Sequence, residues 1–96
     1  MVCDMLMSLI QEYIKCPNGN AEKFSNRYMD MFYNDSKKLG EEVDAEVYDI
    51  FDDINWLCDS YENDNAIRKS DPNCIDEQAL NEKLNFYIEQ LRRSGL

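Results

Sequence analysis

The sequence of 96 residues contains no histidine, only three glycines and only two prolines. Without histidine the chain lacks the side chain that most often acts as a general base near neutral pH and that commonly binds zinc. Its four cysteines form no Cys-x-x-Cys pair; they are Cys3, Cys16, Cys58 and Cys74. Because histidine and paired cysteines are both missing, we expect no zinc site, no cofactor and no enzymatic activity.

Long apolar runs are also missing, and a membrane-spanning helix needs about 20 consecutive apolar residues. The first residues, Met1 to Asp4, lack the basic start of a secretion signal and place an acid where its apolar part would begin. Cysteines without a secretion signal are typical of a reducing compartment. We therefore expect a cytoplasmic protein with reduced thiols, in which Cys58 is a small buried hydrophobe.

Positive charge is absent from a long central stretch, since no lysine or arginine occurs from Leu39 to Ile67. We call residues 41–64 the acidic segment, because ten of the twenty acidic residues lie there. The other ten acids are matched by all ten basic residues, so the net charge of −10 arises in this segment. Such charge repels nucleic acids and anionic membranes, which leaves a basic protein as the expected partner. The ten acids are Glu41, Glu42, Asp44, Glu46, Asp49, Asp52, Asp53, Asp59, Glu62 and Asp64.

The acidic segment also has the apolar periodicity of a helix. From Val43 to Tyr61, apolar residues recur at steps of three and four, which places them in one arc roughly 120° wide. The acids form two ridges on the opposite side, and Trp56 lies between the ridges without apolar neighbours. One ridge contains Glu42, Glu46, Asp49 and Asp53, and the other contains Glu41, Asp52 and Asp59.

The acidic ridges allow two interpretations, a solvated helix face or a binding surface. Like charges four residues apart weaken a helix by about 0.2–0.5 kcal/mol per pair, and here nothing of opposite sign offsets them. That cost favours a surface that binds a cationic partner. Trp56 is the expected anchor, because tryptophan dominates the water-free centres of protein interfaces.

Three further helices are predicted around the acidic one. The first has its apolar face between Met5 and Ile14 and is ended by Pro17, Asn18 and Gly19. The second begins after Asn20, a candidate cap, and ends by Asn34 or Asp35, so that residues 36–40 form a basic link.

The acidic helix begins between Glu41 and Ala45, with Asp44 as a candidate cap, and ends near Tyr61. Residues 62–73 are predicted to be a loop, and the last helix begins around 75–77 and closes with Arg92, Arg93 and Gly95. Four amphipathic helices without strand-like alternation predict a single all-α domain, residues 1–96, folded as a four-helix antiparallel bundle.

Three stretches resemble the colicin D immunity family, which includes immunity proteins of contact-dependent growth inhibition systems. They are Ala21-Glu22-Lys23-Phe24 after a polar turn, Ile54 to Asp64, and Ile75 to Leu80 at the start of the last helix. The resemblance implies a four-helix bacterial protein that binds a tRNA-cleaving toxin domain in a 1:1 complex. It also implies that acidic side chains occupy the basic active site in place of tRNA phosphates.

The residues that the resemblance assigns to the toxin interface are Asp59, Glu62 and Asp64, with Tyr61 among them as either a contact or a packing residue. Asp49, Asp52, Asp53 and Trp56 extend the candidate site along the helix.

The alternative function is an acidic adaptor or nucleic-acid mimic that binds another basic protein. The sequence is also compatible with a dimer. A hydrolase built on Asp49 and Asp53 is disfavoured because no cleft is implied. An EF-hand at 62–73 is disfavoured because the loop lacks the required order of ligands.

Overall fold

Five helices and no strand make up the chain in a computed structural model, which describes all residues, 1–96. The all-α prediction is therefore confirmed. Four helices are long and form the bundle: α1 packs on α2, α2 on α3, and α3 on α5. The short α4 lies in the connection between α3 and α5. The helices are α1 (Val2–Lys15), α2 (Ala21–Glu42), α3 (Ala45–Ser60), α4 (Asn65–Ser70) and α5 (Glu77–Arg93).

One hydrophobic core of 21 buried residues joins the four long helices. At its centre Tyr28 and Phe51 are fully buried, and the Tyr28 hydroxyl donates a hydrogen bond of 2.8 Å to the Phe51 carbonyl oxygen. A series of aromatic ring contacts crosses the core, with centroid distances between 4.4 and 6.3 Å. The series runs through Tyr13, Phe24, Tyr28, Phe32 and Tyr48. Cys58 is 1% exposed, and burial raises its pKa to about 12, so it is the buried hydrophobe that was predicted.

The predicted end of the second helix at Asn34 or Asp35 is wrong, because α2 continues to Glu42. The residues of the supposed basic link are helical, with Lys37 and Lys38 exposed and Leu39 fully buried. Glycine inside a helix costs about 1 kcal/mol relative to alanine. Burial of Leu39, two turns beyond Phe32 on the same face, offsets that cost at Gly40.

Glu42 belongs to the end of α2, so its predicted place on the outer ridge of the acidic helix is also wrong. Its two carboxylate oxygens each accept a 3.0 Å hydrogen bond, from the backbone N–H groups of Val2 and Cys3 in the first turn of α1. The first N–H groups of a helix have no partner within the helix, and the helix dipole favours negative charge there. These hydrogen bonds hold the pKa of Glu42 below its usual value.

The substitution Glu42→Gln is expected to lower the melting temperature at pH 7, because a neutral amide satisfies the two N–H groups less well. A carboxylate whose folded-state pKa is depressed stabilises the fold above its unfolded-state pKa, and loses that effect as the pH falls through the folded-state pKa. The difference in melting temperature between the two proteins should therefore shrink below the ordinary titration range of glutamate. A difference that does not change between neutral and strongly acidic pH would contradict this role.

The helix ends show which cap predictions are correct. Asp44 is the side-chain cap that was predicted, because it accepts a 3.1 Å hydrogen bond from the Val47 N–H. Asp76, which was not predicted as a cap, accepts one of 2.9 Å from the Ala79 N–H and caps α5. Asn20 lies at the predicted N-cap position of α2, but its side chain does not cap the helix. Its amide instead donates a 2.8 Å hydrogen bond to the Cys16 carbonyl oxygen.

Glycines occupy the two backbone positions with positive φ. Gly19 has φ +78° in the turn between α1 and α2, and Gly95 has φ +93° beyond the end of α5. The Gly95 N–H donates to the Arg92 carbonyl and the Leu96 N–H to the Leu91 carbonyl, both at 3.1 Å. This is the hydrogen-bond pattern of a glycine-terminated helix and confirms the predicted end of α5.

The predicted loop at 62–73 contains a six-residue helix, α4, that the periodicity did not reveal. A helix of under two turns has too few residues to show a repeat of 3.6. The ends of the connection are joined by a bridge in which the Glu62 N–H donates to the Ile75 carbonyl at 3.0 Å and the Ile75 N–H to the Ser60 carbonyl at 2.9 Å.

Two residues do not lie on the buried helix faces to which the apolar patterns assigned them. Met5 is 50% exposed, and Val2 and Cys3 instead complete the buried side of α1. Val43 is not part of α3, because it terminates α2 in an extended conformation. Both corrections lie away from the outward side of α3, which carries the predicted binding residues.

Candidate protein interface

Five of the eight predicted binding residues share the outward side of α3. We call these five the acidic face: Asp49, Asp52, Asp53, Trp56 and Asp59. Their spacing of three and four residues places neighbouring side chains about 5–6 Å apart, and the face extends about 15 Å along the helix. Asp52 is half-buried and the other three acids are exposed. The opposite side of α3 is apolar and buried, so one side of the helix packs in the core and the other carries the acids.

The four carboxylates of the acidic face accept no hydrogen bond from the rest of the chain. In the acidic segment, the carboxylates that accept hydrogen bonds are those of Glu42, Asp44, Glu62 and Asp64, and each bonds a backbone N–H group. The field of the acidic face nevertheless reaches its neighbours. On α5, burial first and then the charge of Asp53 raise the pKa of Tyr87.

Asp59 lies in the last turn of α3, where the helix dipole disfavours negative charge, and that turn has no basic residue. The substitution Asp59→Asn is therefore expected to raise the melting temperature, by an amount that corresponds to less than about 1 kcal/mol. The same substitution should weaken binding to a cationic partner. A variant that loses stability and keeps its affinity would show that Asp59 is a structural residue.

Glu62 and Asp64 have hydrogen bonds within the connection between α3 and α5. A carboxylate oxygen of Asp64 accepts from the Ala66 and Ile67 N–H groups at 2.8 and 3.3 Å, which caps α4. Glu62 accepts a 3.1 Å hydrogen bond from the Asp64 N–H, and its carbonyl oxygen accepts one from the Arg68 guanidinium. Substitution at either acid would disturb the connection, so the two acids are poor probes of binding.

Tyr61 is half-buried and packs against the hydrophobic core at the end of α3. Burial is the main cause that raises its pKa, followed by the charges of Glu77 and Glu22. Its hydroxyl donates a long 3.4 Å hydrogen bond to the Asn63 side chain. Of the two roles that the sequence left open, packing is the one for which the structure provides contacts.

Trp56 is 65% exposed, as predicted, but the expectation that it has no apolar neighbours is wrong. It lines a shallow groove of about 340 Å³ between α2 and α3. Tyr33, which is 85% exposed, was missed by the sequence patterns, although an aromatic residue one position beyond the apolar face of α2 was the available signal. We call this the aromatic groove, and its lining residues are Met29, Tyr33, Asn55, Trp56 and Asp59.

A second groove, between α1 and α2, has the opposite charge. It measures about 340 Å³, and its rim includes Lys15, Lys23 and Arg27. Tyr13 and Phe24 form its apolar floor, and the Tyr13 hydroxyl is held by a hydrogen bond to Asn81 on α5. Glu12 also lines this groove, so its lining carries three basic side chains and one acidic one.

The structure brings together no group of three or more cysteines, aspartates and glutamates that could hold a metal ion. None of the helices is both long and apolar enough to span a membrane. In comparisons with protein-family models, curated proteins and solved structures, the chain matches none of them.

Proposed function

We propose that the chain is an immunity protein that binds a tRNA-cleaving toxin domain through the acidic face and blocks its active site. The observation that carries the proposal is that the four carboxylates of the acidic face have no hydrogen-bond partner in the chain. The resemblance of three stretches to the colicin D immunity family supports it, because they include the second half of the acidic segment.

The physical basis is competition for a basic surface. A nuclease gathers lysine and arginine along the path of its substrate, because neutralisation of phosphates supplies most of the sequence-independent affinity. Acidic residues three or four positions apart on a helix, with Cβ atoms about 5–6 Å apart, present a comparable row of negative charge. A helix bound along the basic path of the nuclease excludes RNA both by its volume and by its charge.

Charge also governs how quickly the complex forms. Attraction between oppositely charged surfaces raises association rates to about 10⁸–10⁹ M⁻¹s⁻¹ at low salt, compared with about 10⁵–10⁶ for neutral pairs. No basic residue occurs between Leu39 and Ile67, so α3 itself contributes only negative charge, although Lys37 of α2 lines a groove together with Asp49. Fast capture suits an inhibitor that must act before the toxin cleaves its substrate.

Co-expression tests the proposal directly. If an adjacent reading frame ends in a basic nuclease-like domain, that domain is expressed in bacteria with or without this chain, and growth, tRNA integrity and co-purification are measured. We expect growth and intact tRNA only when the chain is present, together with a 1:1 complex. Growth arrest in the presence of the soluble, folded chain would overturn the proposal and leave the acidic adaptor as the better function.

A further inference from the structure

We infer that the aromatic groove binds an arginine side chain of the protein partner. The inference deepens the proposed function, and it rests on the cationic partner assumed there. It concerns the groove residues Tyr33, Trp56 and Asp59, which come from two helices and meet at one end of the acidic face.

The aromatic rings of the groove differ from those of the core. Within the core, rings pair with one another at centroid distances down to 4.4 Å. Tyr33 and Trp56 take part in no such ring pair, and both are mostly exposed to solvent. Large exposed aromatic residues beside one another are the usual anchors of protein interfaces, where tyrosine, tryptophan and arginine are enriched.

Charge at the groove selects a cation. Asp59 lines the groove beside Trp56, its carboxylate accepts no hydrogen bond within the chain, and it lies where the dipole of α3 adds further negative potential. An uncharged apolar side chain would bury that carboxylate without a partner, which is unfavourable. A cation would keep it paired.

Shape and hydration favour arginine over lysine. The guanidinium is planar, stacks on aromatic faces and is more weakly hydrated than an ammonium group, and its fork of donors matches a carboxylate. The groove volume of about 340 Å³ exceeds the space that one side chain requires. The arrangement therefore places an aromatic face for stacking next to a carboxylate that accepts the N–H donors.

Asn55 provides an independent observation in the same groove. Its side-chain oxygen is buried and accepts no hydrogen bond, and an unsatisfied buried acceptor is unfavourable. Rotation of the amide towards the groove would allow a guanidinium N–H to donate to this oxygen.

Trp56 is the only tryptophan of the chain, so its fluorescence reports directly on the groove. The first test titrates the protein with N-acetyl-arginine amide, with its uncharged isostere N-acetyl-citrulline amide and with N-acetyl-lysine amide. We expect saturable binding of the arginine compound with a Kd of about 1–10 mM. Binding of the other two should be at least threefold weaker. Equal responses to arginine and citrulline, or no saturation by arginine, would overturn the inference.

Matched variants locate the binding in the groove. Tyr33→Ala and Asp59→Asn should each raise the Kd for the arginine compound at least threefold. Phe86→Ala removes another exposed aromatic residue and Glu89→Gln another exposed acid, both on α5 and outside the groove, and these variants should bind as the original protein does. Equal losses in groove and control variants would show that the response is not specific to this site.

A test with the toxin domain separates stacking from simple apolar contact. Trp56→Phe keeps a flat aromatic face, whereas Trp56→Leu keeps apolar bulk without one. We expect Trp56→Leu to weaken toxin binding at least tenfold and Trp56→Phe to weaken it at most threefold. Similar losses of toxin affinity in both variants would contradict a stacking interaction at Trp56. If the toxin does not bind even the original protein, the proposed function fails, and the titration with the arginine compound still decides the inference.

Discussion

Reversal of Asp49, Asp53 and Asp59 to lysine is expected to weaken binding of the toxin domain at least a hundredfold, or about 3 kcal/mol. The three side chains are exposed and have no hydrogen bond within the chain, so helical circular dichroism should not change. Loss of one partner from a buried interfacial charge pair already costs about 2–5 kcal/mol, and reversal adds repulsion.

The matched control reverses three exposed acids that lie outside α3, namely Glu12, Glu82 and Glu89. Both triple variants change the net charge from −10 to −4, so they differ only in where the charge is placed. We expect the control to bind within about threefold of the original protein, because distant exposed charges are screened by salt. Equal weakening in both variants would mean that net charge, and not the acidic face, controls binding.

The substitution Phe51→Ala is expected to destabilise the fold by about 3–5 kcal/mol, which is a large part of the 5–15 kcal/mol of a typical small domain. Phe51 is fully buried on the inner side of α3, and its carbonyl oxygen accepts the hydrogen bond of the buried Tyr28. Thermal unfolding followed by circular dichroism measures the effect. A shift in melting temperature of only a few degrees would contradict the central position of Phe51.

Trp56→Ala provides the contrast on the outer side of the same helix. Trp56 is 65% exposed, so its removal should leave the melting temperature nearly unchanged while it costs about 2 kcal/mol or more of toxin binding. The opposite pattern, a lower melting temperature with full affinity, would show that Trp56 supports the fold and not the interface.

The long helices and some of their ends could be predicted because they depend on local rules. The 3.6-residue repeat identified the buried stripe of α3, and the short polar side chain of Asp44 marked its start. The predicted end of α2 was wrong because Gly40 and two nearby lysines are typical of a link between helices. The helix continues to Glu42 because Leu39 is buried in the core. Tertiary packing overrides local propensity at such positions.

The candidate site was predictable only in part, for a related reason. The outward direction of Asp49, Asp53, Trp56 and Asp59 follows from the helical repeat alone. The aromatic groove does not, because Tyr33 belongs to another helix and its distance from Trp56 depends on how α2 and α3 pack. The place of Glu42 could not be predicted either, because it depends on a contact with Val2 at the start of α1, 40 positions away in the sequence.

The most direct test of the acidic face is the affinity for the purified toxin domain as a function of ionic strength, with tRNA as competitor. If the face occupies the basic path of the RNA, affinity is strong in dilute buffer, falls steadily as salt rises, and is lost to competing tRNA. Affinity that does not depend on salt, or a complex that binds tRNA as well as the free toxin does, would contradict the account.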